Sequence, residues 1–288
     1  MKNCIACGSV REDAALRAAF NELTQKTFGF DFTGWYETGH WGKMYIPYLL
    51  MDGEKAVSNV SVNLMHFIVG GEPKNYIQLG TVMTDPDYRG LGLNRRNMEN
   101  VLQEYAGKVD GIYLFGNDSV LDYYPKFGFT PAHEYEYYLP AAQFGAQPYQ
   151  AVKATRAEVY ALLERGAVSE EDGLYMDENV GLYQFWLDGE FGEQIYYLPE
   201  TGVYAVAGME GKVLRVYQLF GSGRVDFHRL ARTLGENAEE MVLGFTPAHP
   251  EGLLSREHKR EDCTLFILGD DLRRIERDRM MFPELSHA

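Results

Sequence analysis

The sequence predicts a mixed α/β fold in which a largely antiparallel sheet flanked by helices is followed by a second, smaller α/β unit of similar topology. Three observations carry this. Residues 44–69 hold two strand-like segments split by Asp52-Gly53, a turn pair common in hairpins. Residues 79–116 run strand, glycine-rich turn, amphipathic helix, strand. Residues 203–268 then repeat the order hairpin, helix, strand, strand, as an internal duplication would.

Taken in order, Ser9 and Glu12 have the spacing of a capping box ahead of a helix whose apolar face is Leu16, Phe20 and Leu23. An aromatic loop over 34–41 follows, with Trp35, Tyr36 and Trp41 reading as core filling or as rings for a ligand. Strands are expected at 44–51, 56–69 and 79–84. Gly90 and Gly92 permit a sharp turn. Met98, Val101, Leu102 and Tyr105, spaced i, i+3, i+4, i+7, mark one buried helix face that ends at Gly107. An apolar strand from Gly111 stops at Asn117, Tyr124 follows in a short helix, and an alternating strand at 133–139 completes a first domain over 1–140. A linker over 141–150 leads to a second domain over 151–288. There, strands at 203–207 and 212–220 flank a glycine-bearing turn. Asp226 caps and Gly235 ends a helix marked by Phe227, Leu230, Ala231 and Leu234, and strands follow at 241–245 and Thr264–Leu268.

Composition excludes several classes. The net charge is -15, and each half carries more acid than base, which disfavours a phosphate backbone as partner. It is compatible with a cationic amine. No apolar run approaches the roughly 18 residues of a membrane span, and residues 1–10 lack a signal-peptide core, so a soluble cytoplasmic protein is expected, with neither membrane nor nucleic acid as partner. Three cysteines make no disulfide framework. Cys4 and Cys7 have the spacing of half a zinc site, but no second pair follows, so no metal is expected. Cys263, in an apolar run, reads as a small buried residue, and His66 as a satisfied core histidine.

Chemistry concentrates between 79 and 129. A helix N-terminus presents unpaired N–H groups and a positive dipole end, and residues 89–95 are placed to form such an anion site, with Arg89 adding charge-assisted hydrogen bonds. If 117–124 is helical, Asn117 and Tyr124 lie two turns apart on one face. A tyrosine there, protonated at neutral pH, can give a proton to a leaving group.

Together these segments resemble the GNAT superfamily of acyl-CoA-dependent N-acetyltransferases. Arg89-Gly90-Leu91-Gly92-Leu93-Asn94 is similar to the family's pyrophosphate loop, Arg/Gln-x-x-Gly-x-Gly/Ala, with Asn94 departing at the last position. The strand at 79–84 resembles the family's fourth, so the resemblance implies that the main chain of Val82, Met83 and Thr84 pairs with the pantetheine arm. Asn117 and the run from Tyr124 to Phe129 resemble the later motif, which implies an Asn contact to that arm and a Tyr that protonates the CoA thiolate. The resemblance covers roughly residues 1–140. It implies a GNAT-like fold and acetyl-CoA as co-substrate, with transfer to a small-molecule or peptide amine. The second unit resembles a degenerate copy, with Gly221-Ser222-Gly223-Arg224 where the loop should be.

The base that deprotonates the amine is not read from motif. Many family members carry a Glu on the fourth strand, where this sequence offers Gln78. Glu37 and His40 in the aromatic loop are alternatives, and the terminal carboxylate of Ala288 is a third, since the apolar run Met280-Met281-Phe282-Pro283 suggests a docked C-terminal segment. Two other functions stay open: a CoA-binding sensor without turnover, and a silent interaction scaffold. Oligomeric state is open as well, a homodimer included.

Overall fold

The computed structural model describes residues 5–7, 9–166 and 173–288. Its elements are assembled into two sheets. In chain order, β1 (Ile5–Cys7), α1 (Ala14–Phe28), α2 (Thr33–Glu37), β2 (Tyr45–Asp52), β3 (Lys55–Val69) and β4 (Glu72–Thr84) open the first, with β1 to β4 antiparallel neighbours. Then α3 (Leu93–Tyr105) crosses over and brings β5 (Gly111–Gly116) parallel to β4. The two short strands β6 (Thr130–Ala132) and β7 (Glu134–Pro140) come next, followed by β8 (Val152–Lys153), α4 (Arg156–Leu163), β9 (Leu174–Met176) and α5 (Val180–Asp188). The second sheet is built on β10 (Ile195–Leu198), β11 (Val203–Glu210) and β12 (Val213–Phe220), with α6 (Phe227–Leu234) crossing over to β13 (Glu240–Leu243), parallel to β12. The chain continues through β14 (Leu254–His258), β15 (Thr264–Leu268) and the single turn α7 (Arg274–Arg277).

Both sheets therefore contain the same unit, an antiparallel pair, a crossover helix and a parallel strand, as the repeated sequence pattern predicts. They also exchange a strand. Next to β5 lies β15, antiparallel, and beyond β15 lies β6. In the other sheet β7 lies next to β13, with β14 beyond it. Each sheet thus keeps its own outer strand and takes the inner one from the other half. The boundary expected at residue 140 does not separate the sheets: the strand expected to close the first domain belongs to the second sheet, and Thr264–Leu268 belongs to the first. The physical reason is that hydrogen-bonding capacity of a strand edge carries no address, so an amphipathic strand fits either sheet until the chain path decides.

Local details also depart from expectation. Asp13, rather than Ser9, caps α1, accepting from the N–H groups of Ala15 and Leu16. The expected linker is packed: Gly145 donates its N–H to His228 O, and Tyr149 is buried against α6. The half-buried His66 pairs with Glu178 at 2.7 Å instead of filling the core, and Cys263 is only partly buried. Cys4 lies outside the described residues. Thr155 and Glu158 form a capping box for α4, which sequence reading overlooked.

One apolar core spans the two halves. Met65, Phe67, Tyr76 and Tyr113 from the first sheet meet Leu182, Tyr183, Phe220 and Phe282. Phe282 stacks on Tyr113 with ring centroids 4.0 Å apart. Beside this core runs an ionic cluster. Glu136 on the exchanged strand β7 accepts from Arg256 Nε at 2.6 Å and pairs with His258 at 2.7 Å, while Arg215 bridges toward Glu284. Burial pushes the Glu136 carboxyl up, but the bonds from His258 and Arg256 outweigh it and bring it down to about 2.

Removing that carboxylate takes a buried partner from His258 and Arg256, while Arg256 keeps Glu240 and Arg215 keeps Glu284, so Glu136→Gln is expected to lower the unfolding free energy by about 1–3 kcal/mol in urea. The wild type's advantage is full above pH 4.5 and shrinks as pH falls toward about 2, because the folded-state value is the depressed one. A constant difference across that range would show that Glu136 is not the titrating group.

Candidate functional site

The site starts from an irregularity between β3 and β4. Asn59 pairs with Met83 and Ser61 with Gly80, so Val60 alone opposes both Thr81 and Val82. This bulge puts Thr81 at φ +47°, a left-handed conformation that costs a non-glycine residue on the order of 1–3 kcal/mol and must be held by its surroundings. Asn59 Nδ2 donates to Thr81 O at 2.9 Å, and the Thr81 hydroxyl shares a 2.6 Å hydrogen bond with Tyr45.

Past the bulge the sheet opens. β4 pairs with β5 only from Tyr76–Gly111 to Leu79–Leu114. From Gly80 to Thr84 the β5-facing edge of β4 has no ladder partner among the described residues, so the main chain at Val82, Met83 and Thr84 borders a slit that an extended chain could enter as another strand would. On one face of the slit stand α3 and the cluster holding Leu79, Leu114 and Tyr124. On the other face lies an aromatic pocket.

The turn before α3 begins at Asp85, which is buried, accepts from the Asp87 N–H and pairs with Lys26 and Lys55, each at 2.9 Å. Burial raises its carboxyl, yet the two lysines prevail and hold it at about 2. That clamp fixes the direction of Arg89, Gly90 and Leu91. Gly90 and Gly92 sit at φ +75° and +74°, and a Cβ on either would meet nothing within 4 Å, so both glycines serve the backbone and leave open space in front of it. Gly92 is the N-cap of α3 and supplies no side-chain acceptor, which leaves the N–H groups at Leu93 and Asn94 for an anion. The Asn94 carboxamide accepts from the Tyr123 hydroxyl at 2.8 Å. It is thereby tied to the neighbouring turn. A pyrophosphate group fits this cradle.

Tyr124 packs on Gly116, whose Cβ would lie 3.0 Å from its ring, and on Phe129 and Phe266. Burial pushes its hydroxyl well above the ordinary tyrosine value. The segment 117–124 is not the continuous α-helix expected. Asn117 instead caps a short 3₁₀ turn, its Oδ1 accepting from Ser119 N, and Tyr124 opens a second such turn with Pro125 in its first positions. Proline lacks the N–H an α-helix would need there. The two-turn alignment of Asn117 with Tyr124 is therefore not formed.

Opposite, a cavity of about 360 Å³ is lined by Phe30, Phe32, Trp35, Phe115, Phe185 and Trp186 among others, with Gln78, Thr81, His287 and Ala288 at one end. The C-terminal segment is anchored there: Leu285 is buried, Trp186 Nε1 donates to His287 O at 2.9 Å, and Gln78 Nε2 donates to Ala288 O at 3.1 Å. A Cβ at position 80 would come within 2.7 Å of that oxygen, so glycine is required for the approach. Arg260 donates to His287 Nδ1, which places the proton of the neutral ring on Nε2. Burial and the Arg260 charge hold His287 well below its ordinary value. Neither Nε2 nor the carboxamide of the buried Asn63, adjacent to Gly80, finds a hydrogen-bond partner among the described residues.

Of the bases weighed from sequence, Ala288 reaches this pocket. Glu37 is exposed outside its wall, and His40 pairs with Asp188 at 2.7 Å, also outside it. Trp35 and Trp41 fill the core, stacked 5.8 Å apart, though Trp35 also shows one face to the cavity. Sequence reading missed Leu182, Phe185 and Trp186. Their i, i+3, i+4 spacing on α5 was the signal available. Among the described residues no group of three or more His, Cys, Asp or Glu could hold a metal, and no helix is long and apolar enough to cross a membrane.

Residues 14–132 match the family model described as acetyltransferase (GNAT) domain. The fold is similar to that of a probable N-acyltransferase from Enterococcus faecalis V583, 15% identical with TM-score 0.59, covering 93% of this chain and 71% of that one. It is also similar to a GCN5-related N-acetyltransferase from Kribbella flavida, 16% identical, TM-score 0.58, covering 92% and 71%. Eis1 from Mycobacterium abscessus is 13% identical with TM-score 0.55, covering 91% and 72%. At such identities the likeness is one of fold. No curated protein matches the chain in sequence.

Because Gly80 meets main chain rather than a flexible side chain, Gly80→Ala is expected to cost about 1–3 kcal/mol. It should also speed amide exchange at Ser286 and His287, whose N–H groups bond to Pro283 O and Glu284 O. Unchanged protection at both amides would mean that the C-terminal segment does not depend on this contact.

Proposed function

We propose, on the premise that residues 14–132 are a GNAT acetyltransferase domain, that the protein moves an acetyl group from acetyl-CoA to a primary amine by direct attack. The observation that carries this reading is the slit between β4 and β5, which joins an uncapped helix N-terminus with two open, left-handed glycines on one face to an open-mouthed apolar pocket on the other. Acetyl-CoA supplies the acyl group as a thioester.

The residues divide the work as follows. Arg89, Gly90, Leu91, Gly92, Leu93 and Asn94 hold the pyrophosphate, chiefly through main-chain N–H groups. Val82, Met83 and Thr84 pair with the pantetheine arm, and an N–H near Val82 polarises the thioester carbonyl. Asn117 stands at the far side of the slit, at the end of β5. Tyr124, kept protonated by burial, gives its proton to the departing sulfur. On the pocket side, desolvation lowers the basicity of an entering amine, and Ala288 O is placed to accept from its N–H. A CoA-binding sensor is the second reading. It is favoured by Gln78 standing where many relatives carry a Glu, and by the lack of any carboxylate side chain in the cavity wall among the described residues.

Two variants test the site and a thiol-release assay separates the readings. Tyr124→Phe should reduce turnover about a hundredfold or more while calorimetry with CoA gives nearly the wild-type affinity; equal turnover would remove Tyr124 as the acid. Gly92→Glu places a carboxylate and a strained backbone in the loop and should abolish CoA binding, with no change in the far-ultraviolet dichroism. If wild-type protein binds CoA and releases no thiol with any amine, the sensor reading stands.

A further inference from the structure

The chemistry of the pocket narrows the acceptor, an inference that rests on the acetyl-transfer reading. The chain carries a net charge of -15, yet among the described residues no Asp, Glu, Lys or Arg side chain lines the cavity. Its wall is instead made largely of rings. Trp35 and Phe185 meet edge to face at 5.4 Å, Phe185 and Trp186 at 5.6 Å, and Phe115 stacks on the neutral His287 at 4.1 Å. Phe28 and Phe30 extend this surface outward, 46% and 45% exposed. The polar groups of the wall are linked in pairs beside the slit, Gln78 donating to Ala288 O and Thr81 sharing a hydrogen bond with Tyr45, with His287 next to them.

A ligand bearing several ammonium or hydroxyl groups would have to strip each of them against these rings without a partner. A single amine on a flat apolar body avoids that cost: the amine reaches the polar end and the body lies among the rings. The acidic surface still draws such a cation toward the mouth. We infer that the acceptor is a primary monoamine carried on an aryl or comparably flat apolar body, and that polycationic sugars and polyamines are excluded. Selection comes from the ring-lined wall, and Phe30 contributes to it from the mouth.

The test is calorimetric titration of the full chain, with and without CoA, by 2-phenylethylamine, kanamycin A and spermidine. Thiol release from acetyl-CoA is followed separately with each amine. The arylalkylamine should bind at least about tenfold more tightly than either polycation, the ring burial setting the scale. Phe30→Ala, at a partly exposed position, should weaken it about threefold or more with the far-ultraviolet dichroism and the affinity for CoA unchanged. Tighter or equal binding of kanamycin A or spermidine, or no binding of 2-phenylethylamine, overturns the inference. Thiol release with a polycation alone would keep the acetyltransferase and reject this acceptor class. Preferential 2-phenylethylamine binding without thiol release from any amine would support the pocket's selectivity and reject acetyl transfer.

Discussion

The placement of β15 is the constraint on which the remaining architecture depends. Its five residues pair with five of the six residues of β5 on one side, Thr264 with Gly116 through Leu268 with Ile112, and with β6 on the other. Once both edges are satisfied, the residues after it are committed to the face of the first sheet that carries Tyr76 and Tyr113. Asp271 pairs with Lys74 and accepts from the Tyr76 hydroxyl, and Phe282 lies flat on Tyr113. Glu284 then ties this segment to the second sheet through Arg215. β7 is placed reciprocally in the second sheet, and β9 adds a further strand of the second half to the first sheet beside β3.

The first sheet also divides the site. Alternation along β3, β4 and β5 sends Val62, Ile77 and Leu114 toward α3, and Met65, Tyr76 and Tyr113 toward the second half. The glycine turn before α3 and the buried Tyr124 therefore stand on one side, rings and the C-terminal segment on the other. The bulge at Thr81 and the end of the β4–β5 ladder form the passage between them. A regular sheet would have closed it.

Much of this was legible in the sequence because it is local. Periodicity gave the hairpin around Asp52-Gly53, the helix with Met98 and Val101, and the helix from Asp226 to Gly235. The glycines at 90 and 92 announced their backbone conformation. What could not be read is non-local or depends on small energetic margins. Nothing in residues 134–140 specifies which sheet they join. Pro125 was visible, yet its effect in replacing one α-helix by two 3₁₀ turns around Tyr124 was overlooked. The ring-lined pocket draws on α1, β4, β5, α5 and the C-terminal segment, so no single stretch contains its pattern. Asn94 departs from the glycine of the motif it resembles, and the Tyr123 hydroxyl that engages it lies 29 residues away.

The exchanged strands also bear on how the protein is made. Leu114 and Phe266 are neighbours in one ladder but are separated by most of the second half of the chain. Contacts of such sequence separation form late and slowly. On the ribosome, β5 would emerge with one edge bare and keep it so until residue 268 has left the exit tunnel, with β7 meanwhile lacking its partners in the second sheet. A nascent chain of this design holds aggregation-prone edges for as long as it takes to translate roughly one domain. It therefore has reason to engage a holding chaperone that a simple two-domain chain, finishing its first half early, would not need.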